Sequence, residues 1–576
     1  MSNEVEPIIG NMPLLQQPRE QRRTEFVVDK PLDFYGARDG KLHANGQVFH
    51  IKGINWYGTE GKQMMLEGLH VKPIDRLFDF LVEHEFNAMR LLFNMQDWRD
   101  DPPVPEDHFS AALNPELVGL SYRQMLLQVT RIAAKRGILV LLACHRLRRF
   151  YSDGIHAEWP TGWDGWWFDN KANLGMDRVE SLWGEMARLF CGEWNVFAAD
   201  LFNEPSQARW NTRRSNDWGD AAGRLGNAVL NTCPRLVIFV QGAGRQNGAG
   251  ASDTCWGGSF TDARPIMHDP VPRLRNQSKL VFSPHAYGPS LYKLPFTKKY
   301  MPAHFKQPLS RYAHELPRKW DEIWGFATDL GLRPPLVLSE VGGDMTCCNF
   351  RELGAIGADA TWQMNLIEYL HLKSAGLFYF CLNPYSDDTG GLLKKDFITP
   401  ETQKLKMLSA VPSTRIVWTG QPPSQPPAPP PPPPSPPKVP PPSPAPSPPP
   451  PPPPQPPFVA KPPHTPPLPP PPPPPSTPPP PTPPPPFGPP PLTPPPSWTA
   501  ELSALLPSTG TTLVGATVVI AITAVVGVVH RCLKLRKASG KPTRKAKKTS
   551  SASSSSKPKK KKSGTKAKRK GGYEAV

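Results

Sequence analysis

Two apolar stretches of the sequence each lead into a glutamate that is followed by turn-forming residues. The first, VFAADLFNEP at 196–205, includes Asn203 and Glu204, and the second, PLVLSEVGG at 335–343, includes Glu340. Cleaving a glycosidic bond with retention of configuration needs two such carboxyl groups about 5 to 5.5 Å apart, one as acid/base and one as nucleophile. We predict that Glu204 is the acid/base and Glu340 the nucleophile. For either glutamate taken alone, a surface or salt-bridge role is the alternative.

Other polar residues are placed where they could support this pair. Arg90 could keep the nucleophile ionised, since an opposite charge a few ångströms away lowers the pKa of a carboxyl group. His145, His285 and Tyr287 offer hydrogen bonds to sugar hydroxyl groups or to the carboxylates, and Asn203 flanks the acid/base. A structural arginine or histidine is the alternative for any one of them. Their spacing matches no metal-binding motif, so we predict neither a catalytic metal nor another cofactor.

Several tryptophans fall in the loops that follow strand-like stretches, where an exposed indole can present its flat apolar face to a pyranose ring. We predict that Trp56, Trp167 and Trp256 contact the sugar chain. A tryptophan of the core would fall within a strand or helix pattern, and that remains the alternative for each of them.

The candidate residues follow an alternation of strand-like and helix-like stretches. Eight strands are predicted, at 51–54, 87–93, 138–144, within 196–205, at 236–240, at 280–283, within 335–343 and at 376–382. Continuous apolar strands between helices indicate a parallel sheet that is covered on both faces. Eight such units favour the α/β fold of a (β/α)8 TIM barrel over an open sheet, and this barrel places catalytic groups at the carboxyl ends of its strands. An Asn45-Gly46 turn predicts a hairpin before the first barrel strand.

Composition divides the chain into five parts. Most of the 80 prolines lie between the barrel and the carboxyl-terminal region, and such a segment forms an extended linker because proline cannot support helices or ladders. The predicted parts are a disordered segment 1–32, the barrel domain 33–418, a disordered Pro-rich linker 419–500, a transmembrane helix 512–529 and a basic Lys/Ser-rich tail 530–576.

The carboxyl-terminal region contains the stretch from which we predict that the protein is anchored in a membrane. Residues 512–529, TLVGATVVIAITAVVGVV, are uncharged and mostly apolar, near the minimum of roughly 17 to 25 residues for a bilayer-spanning helix. A buried hydrophobic helix or a weak anchor is the alternative. Nearly all of the net charge of +18 lies after Arg531. The barrel therefore lacks the overall basic footprint of a nucleic-acid-binding domain.

The positive-inside rule predicts a cytoplasmic tail and an extracellular or lumenal barrel. No signal peptide is visible at the start of the sequence, so an atypical export signal and a cytosolic, carboxyl-terminally anchored barrel both stay open. The sequon Asn276-Gln277-Ser278 is compatible with export. Eight cysteines without a CxxC motif indicate mostly reduced thiols with one or two disulfides, and they do not settle the compartment.

Several stretches together resemble glycoside hydrolase family 5, in particular its bacterial-type endoglucanases. The resemblance extends from about residue 42 to 397. The matching stretches are GINWYG (53–58), FNAMRLLF (86–93), CHR (144–146), DLFNEP (200–205), GNAVL (226–230), WGG (256–258), FSPHAYGPS (282–290), SEVGG (339–343) and LNPYSDDTGGLL (382–393).

The resemblance implies a role for each matching residue. Glu204 matches the family's acid/base and Glu340 its nucleophile. The supporting active-site shell is matched by Arg90, His145, Asn203, His285 and Tyr287. In the family the eighth strand normally ends in a tryptophan beneath the reacting sugar, whereas this chain has Phe380 there. Phenylalanine keeps a stacking face but lacks the indole N–H, so this departure bears on substrate preference more than on catalysis.

The resulting hypothesis is a membrane-tethered, monomeric endo-β-1,4-glucanase that acts on cellulose or related β-glucans with retention. The same barrel acting on mannan, xyloglucan or another β-glycan is one alternative. A non-catalytic surface protein that holds polysaccharide is the other, and the presence of both carboxylates argues against it.

Overall fold

The computed structural model describes most of the first 420 residues. The described residues are 11–16, 23–149, 165–243, 256–261, 263, 272–292, 301, 305, 309–329, 334–346 and 357–420. The predicted linker (beyond residue 420), the predicted transmembrane helix 512–529 and the basic tail lie outside this part, so those assignments stay predictions. Within these ranges, no helix combines the length and the apolar character needed to cross a bilayer.

The barrel is built from strands that alternate with helices along the chain. The strands are β1 (Arg23–Val28), β2 (Phe34–Gly36), β3 (Leu42–Ala44), β4 (Gln47–Val48), β5 (Lys52–Trp56), β6 (Ala88–Asn94), β7 (Leu139–Arg146), β8 (Val196–Asp200), β9 (Val237–Val240), β10 (Leu280–Phe282), β11 (His285–Tyr287), β12 (Val337–Gly342), β13 (Gly376–Tyr379) and β14 (Ser413–Trp418). The α-helices are α1 (Pro13–Gln16), α2 (Ile74–Glu83), α3 (Met95–Asp100), α4 (Tyr122–Ala134), α5 (Met176–Phe190), α6 (Trp218–Thr232), α7 (Leu309–Ile323), α8 (Ala358–Lys373) and α9 (Thr402–Leu408).

One sheet closes on itself through a strand that is split in two. All neighbours in the order β10-β9-β8-β7-β6-β5-β13-β12-β11 are parallel. The two edge strands, β10 and β11, follow one another in the chain: β10 lies within the predicted sixth strand 280–283, and β11 comes directly after Ser283 and Pro284, beyond that prediction. β10 pairs with β9, and β11 pairs with β12. The predicted (β/α)8 barrel is confirmed, and each predicted strand overlaps a strand of the barrel.

The interior of the barrel is closed at the amino-terminal ends of its strands. Aromatic rings fill its amino-terminal half, with Phe197 5.9 Å from Phe239, and Phe239 6.3 Å from Phe378, between ring centroids. The helices cover the outside with their apolar faces. The helix α4 begins with a capping box, in which the side chains of Ser121 and Gln124 each accept the other residue's backbone N–H. The filled lower half restricts solvent and substrate to the carboxyl ends of the strands.

The amino-terminal segment corrects one prediction. Residues 1–32 were expected to be disordered, but β1 pairs in parallel with β14, and Phe26 is buried with its ring 5.5 Å from that of Phe49. The strand β1 finds its hydrogen-bonding partner in β14, which lies 390 residues away in the chain. The predicted hairpin is confirmed, since β3 and β4 pair around Asn45 and Gly46, both with positive φ.

A disulfide joins the carboxyl-terminal ends of two neighbouring outer helices. Cys191, at the end of α5, bonds to Cys233, at the end of α6, with 5.6 Å between their Cα atoms. Cys144 and Cys381 are buried free thiols, and the remaining four cysteines lie outside the described residues. The disulfide ties together two helices that cover β8 and the start of β9.

Removing this cross-link should destabilise the barrel. The double variant Cys191→Ser/Cys233→Ser should lose about 4 kcal/mol of unfolding free energy, because a loop of 42 residues is then no longer closed in the unfolded chain. Urea unfolding followed by tryptophan fluorescence measures this loss. Reductant should shift the wild-type transition to that of the variant and leave the variant unchanged. A wild-type transition that does not respond to reductant would contradict the assignment.

Candidate active site

Arg90 is the centre of the site. It lies within β6, is fully buried, and has each of its guanidinium nitrogens hydrogen-bonded. Its Nε donates to Asp200 at 2.9 Å, its Nη1 to Asn55 at 3.0 Å and to Glu340 at 2.5 Å, and its Nη2 to Asn203 at 2.7 Å. One planar side chain thus ties together residues from β5, β8, the loop after β8 and β12.

Glu340 lies inside β12 and is held as a carboxylate. Tyr287 donates its hydroxyl proton to Oε2 at 2.7 Å, and His145 Nε2 lies 3.7 Å from Oε1. Burial alone would raise the pKa of this carboxyl, but the positive charge of Arg90 and the hydrogen bond from His145 hold the pKa of Glu340 below its ordinary value. An ionised carboxylate in this position is suited to nucleophilic attack.

Glu204 has the opposite electrostatic setting. Burial, together with the negative charge of Glu340, raises the pKa of the Glu204 carboxyl well above its ordinary value. Its backbone is left-handed, with φ of 48°, a strained conformation for a side chain of this size. Gln241, directly after β9, stabilises it by accepting the Glu204 backbone N–H at 2.7 Å while donating to Asp200. The acid/base candidate is therefore protonated and rigidly placed.

Hydrogen bonds around His285 indicate which nitrogen carries its proton. Burial lowers the pKa of His285 to about 3, so the ring is neutral and has one N–H. Its Nε2 lies 3.1 Å from Ser339 Oγ, and that hydroxyl donates to the Ser283 carbonyl at 3.2 Å. Ser339 must then accept from Nε2–H, which leaves Nδ1 as an acceptor 3.0 Å from Glu204 Oε1. Only a protonated Glu204 can complete that contact, in agreement with its raised pKa.

The two carboxylates are close enough to act on one bond. An oxygen of Glu204, an oxygen of Glu340 and a ring nitrogen of His285 all lie within 4.8 Å of one another. Three such atoms could also ligate a metal ion, but Arg90 already places a positive charge at Glu340, and a second cation there would be repelled. One carboxylate and one carboxylic acid at this separation suit double displacement at a sugar carbon.

Aromatic side chains form a platform beside the pair. Phe380 follows β13 and is half-buried. Its ring stacks against Tyr57, with 6.0 Å between centroids and 17° between planes, and meets Tyr287 edge-on at 6.4 Å. Trp256 is also half-buried, and the next residue, Gly257, packs against Glu204 and His285. Phe380 therefore lies at the site, and Trp256 directly precedes a residue that packs against it, while the sugar contacts of both stay predictions.

Two predicted sugar-contacting residues belong to the core instead. Trp56 is fully buried in β5, where its ring meets Phe78 and its Nε1 donates to the Glu67 carbonyl. Trp167 is 1% exposed and packs against Trp218. Neither indole has a face that a sugar could reach, so the prediction is wrong for both. Position after a strand says nothing about the direction of a side chain, and these two point toward the helices.

The sequence reasoning also missed residues of the site. Asp200, Gln241 and Ser339 all contribute hydrogen bonds to the catalytic side chains or their direct partners. Asp200 had a usable signal, because an acidic residue that ends an apolar strand is rarely buried without a partner. Gln241 had a similar signal, because it is a polar residue directly after the apolar strand β9. The predicted residues Arg90, His145, Asn203, His285 and Tyr287 are all brought together with Glu204 and Glu340.

A closed (β/α)8 barrel that carries a carboxylate and a carboxylic acid at the carboxyl ends of its strands is the arrangement of a glycoside hydrolase. Sequence comparison agrees with this class. The profile of Cellulase (glycosyl hydrolase family 5) matches residues 42–386, and the chain belongs to that family. The prediction of an endo-β-1,4-glucanase-like glycoside hydrolase is thereby confirmed.

Individual relatives are consistent with the family. An endoglucanase of Paenibacillus polymyxa is 31% identical over 66% of this chain and 87% of its own length. The major extracellular endoglucanase of Xanthomonas campestris pv. campestris is 28% identical over 63% of this chain and 68% of its own length. The solved hyperthermophilic endocellulase of Pyrococcus horikoshii superposes with a TM-score of 0.56 at 25% identity, covering 67% of this chain and 99% of that one. Complexes of that endocellulase with cellotetraose are known.

The proton arrangement around His285 can be tested through pH dependence. Glu204 acts as an acid only while protonated, so activity is lost as the pH rises through its raised pKa. In Ser339→Ala, His285 can carry its proton on Nδ1 and donate it to the Glu204 carboxylate, so the pKa of Glu204 falls. The basic limb of the profile of kcat/KM against pH should move down by about one pH unit.

Ser413→Ala is the matched control. Ser413 donates to the Glu85 carbonyl at the start of β14 and contacts none of the catalytic residues described above. Its profile should coincide with that of the wild type. A Ser339→Ala enzyme with an unmoved basic limb would contradict the assigned proton positions.

Proposed function

We propose that this protein is a membrane-tethered endo-β-1,4-glucanase that works by a retaining, double-displacement mechanism. The observation that carries the proposal is the pair Glu204 and Glu340, with oxygens within 4.8 Å and pKa values displaced in opposite directions. Inverting enzymes separate their two carboxyl groups by roughly 6.5 to 9.5 Å to admit a water molecule. The short separation supports direct attack by one of the carboxylates.

The first step transfers the sugar to the enzyme. A Glu340 oxygen attacks the anomeric carbon while the bond from that carbon to the leaving oxygen breaks. Glu204 gives its proton to the leaving oxygen, so that a neutral hydroxyl departs. Arg90 and Tyr287 orient Glu340 for this attack, through hydrogen bonds of 2.5 and 2.7 Å.

The second step releases the sugar. The Glu204 carboxylate, now without its proton, removes a proton from water, and the water oxygen attacks the anomeric carbon. The ester bond to Glu340 breaks, which restores the Glu340 carboxylate and the protonated Glu204. Two inversions leave the configuration at the anomeric carbon unchanged.

The proposed substrate is a β-1,4-linked glucan cut at internal bonds. The relatives from Paenibacillus and Xanthomonas are endoglucanases, and the endocellulase from Pyrococcus has been obtained with cellotetraose. Phe380 favours a second candidate, action on mannan, xyloglucan or another β-glycan, because its phenyl ring offers a smaller stacking face than an indole and has no N–H to donate. A non-catalytic role is disfavoured, since a protein that only binds polysaccharide has no need of one ionised and one protonated glutamate side by side.

Substitution of each glutamate tests the mechanism. Glu204→Gln and Glu340→Gln should each lower turnover of soluble β-1,4-glucan by at least about 10³-fold, because each removes a group that forms or breaks a bond. An aryl cellobioside with a good leaving group needs no proton, so it should restore the first step in Glu204→Gln but not in Glu340→Gln. Near wild-type turnover of the polymer by either variant would refute the assignment.

Controls and product analysis complete this experiment. Glu185→Gln, a substitution of a half-buried outer glutamate paired with Arg178, should stay within about twofold of the wild type. NMR of fresh product should show the β-anomer first, and an initial α-anomer would exclude retention. A panel of cellulose, mixed β-glucan, mannan and xyloglucan ranks the two substrate candidates.

The proposed location is a barrel outside the cytoplasm, or in a lumen, with the basic tail inside. The predicted helix 512–529 and the charge of 530–576 motivate this topology. The disulfide Cys191–Cys233 supports an oxidising compartment for the barrel. Asn276 is exposed at the start of a short turn, so an oligosaccharyl transferase could reach it.

Protease protection tests this topology. In intact cells that express the full chain with a tag after residue 576, added protease should degrade the barrel and leave a small tagged fragment. Asn276→Gln should remove a glycosidase-sensitive mass shift, with Asn231→Gln as a control that lacks a sequon. A digested tail with an intact barrel would overturn the proposal.

A further inference from the structure

A further buried carboxylate, that of Asp359, lies beside the site at the start of α8, within a cluster of hydrogen-bonded side chains. Asp359 has no exposed surface. Its Oδ1 accepts the backbone N–H of Ser290 at 2.9 Å, and its Oδ2 accepts the side-chain amide of Gln363 at 2.8 Å. Burial raises the pKa of the Asp359 carboxyl to about 6, whereas the hydrogen bonds from Ser290 and Gln363 and the position in the first turn of α8 favour the charged form. Nothing in the proposed reaction uses Asp359 directly.

Asp359 joins the two loops that follow β11 and β12. A Cβ atom on Gly288 would lie 2.5 Å from Asp359 Oδ1, and one on Gly343 would lie 1.9 Å from Oδ2. Both loops therefore approach the carboxylate so closely that only glycine fits. Ser290 adds a direct link between the loops, because its Oγ accepts the backbone N–H of Asp344 at 3.2 Å.

The same cluster reaches the strand that precedes the aromatic platform. Gln363, which donates to Asp359, accepts the hydroxyl proton of Tyr379 at 2.8 Å. Tyr379 is the last residue of β13 and directly precedes Phe380. One carboxylate is thus connected to the chain segments on which Tyr287, Glu340 and Phe380 lie.

The pairing between β11 and β12 is too short to fix the relative position of these two strands by itself. β11 has only three residues, and its pairing with β12 consists of His285 with Glu340, Ala286 with Val341, and Tyr287 with Gly342. The 2.7 Å bond from Tyr287 to Glu340 crosses this short ladder. Two strands joined by three residue pairs can shift relative to each other unless the segments just beyond them are also tied.

We propose that Asp359 is a positioning residue for the glycosidase reaction, which holds Tyr287 and the nucleophile Glu340 in register by clamping the loops after β11 and β12. The proposal rests on the proposed function, because it concerns placement of the nucleophile. Asp359 touches no substrate. Asp359 affects the reaction rate because it fixes the orientation of Glu340. Binding of the sugar units that lie away from Glu340 does not depend on Asp359.

The test measures the attack of Glu340 directly. A 2-deoxy-2-fluoro-β-cellobioside with a good leaving group traps a retaining nucleophile as a stable ester, which mass spectrometry locates on its peptide. In Asp359→Ala we expect the rate constant of trapping and kcat on soluble β-glucan to fall by about 10²-fold, as for an ångström-scale misplacement of a reacting group. KM should stay within about threefold, because the distal sugar contacts are unchanged.

Asp359→Asn provides a second variant that conserves size. Its oxygen can still accept the Ser290 N–H, but its amide faces the amide of Gln363, so one hydrogen bond of the cluster is lost. We expect an intermediate loss of about fivefold in the trapping rate. If Asp359→Ala does not fold, this variant decides alone, and an unchanged trapping rate then overturns the proposal.

Asn195→Ala separates positioning from general destabilisation. Asn195 is a buried side chain with two hydrogen bonds, to the carbonyls of Thr130 and Ile138, at the amino-terminal end of β8. It should lower stability and leave the trapping rate of folded enzyme unchanged. Equal losses in Asn195→Ala and Asp359→Ala would overturn the inference, as would Asp359→Ala within twofold of the wild type. Failure to label the wild type would instead overturn the proposed function, and this inference with it.

Discussion

The buried guanidinium of Arg90 is the interaction on which the rest of the site depends. An unpaired charge in the middle of a barrel would be too costly to retain, and removing one partner of a buried pair typically costs about 3–5 kcal/mol. Arg90 meets this demand with hydrogen bonds to Asp200, Asn55, Glu340 and Asn203. Strands β5, β6, β8 and β12 must therefore take one relative position for the charge to be satisfied, so the fold and the site stabilise each other.

The same arrangement explains why two glutamates a few ångströms apart behave differently. Arg90 brings one positive charge to two carboxylates, and burial already raises the pKa of Asp200 to about 6. Glu340 receives the closest contact, together with the Tyr287 hydroxyl proton. A further negative charge on Glu204 would have no cation of its own, so that residue keeps its proton. An acid and a nucleophile arise from the distribution of a single positive charge.

Much of the fold could be predicted because the local patterns and the tertiary structure agree. The eight strands are continuous apolar stretches, and each is buried on both faces as a covered parallel sheet requires. The prediction failed where the outcome depended on a distant partner. Arg23–Val28 is a short stretch of mixed polar and apolar residues whose strand pairing depends on the distant β14. Trp56 is the last residue of β5 and Trp167 lies in the loop after β7, but both are buried in the core and not at the site.

The sequence by itself determined which residue types stand at the carboxyl ends of the strands, and with them the class of reaction. Glu204, Glu340 and His285 were recognisable from the apolar stretches that lead into them, and Arg90 from its place within one. Only the tertiary structure decided which of them touch, which carboxyl keeps its proton, and which supporting groups, such as Gln241, complete the site. The physical reason is that pKa values and hydrogen bonds depend on distances of a few ångströms between residues far apart in the chain. Periodicity fixes the face and the end of each strand, whereas only closure of the barrel sets those distances.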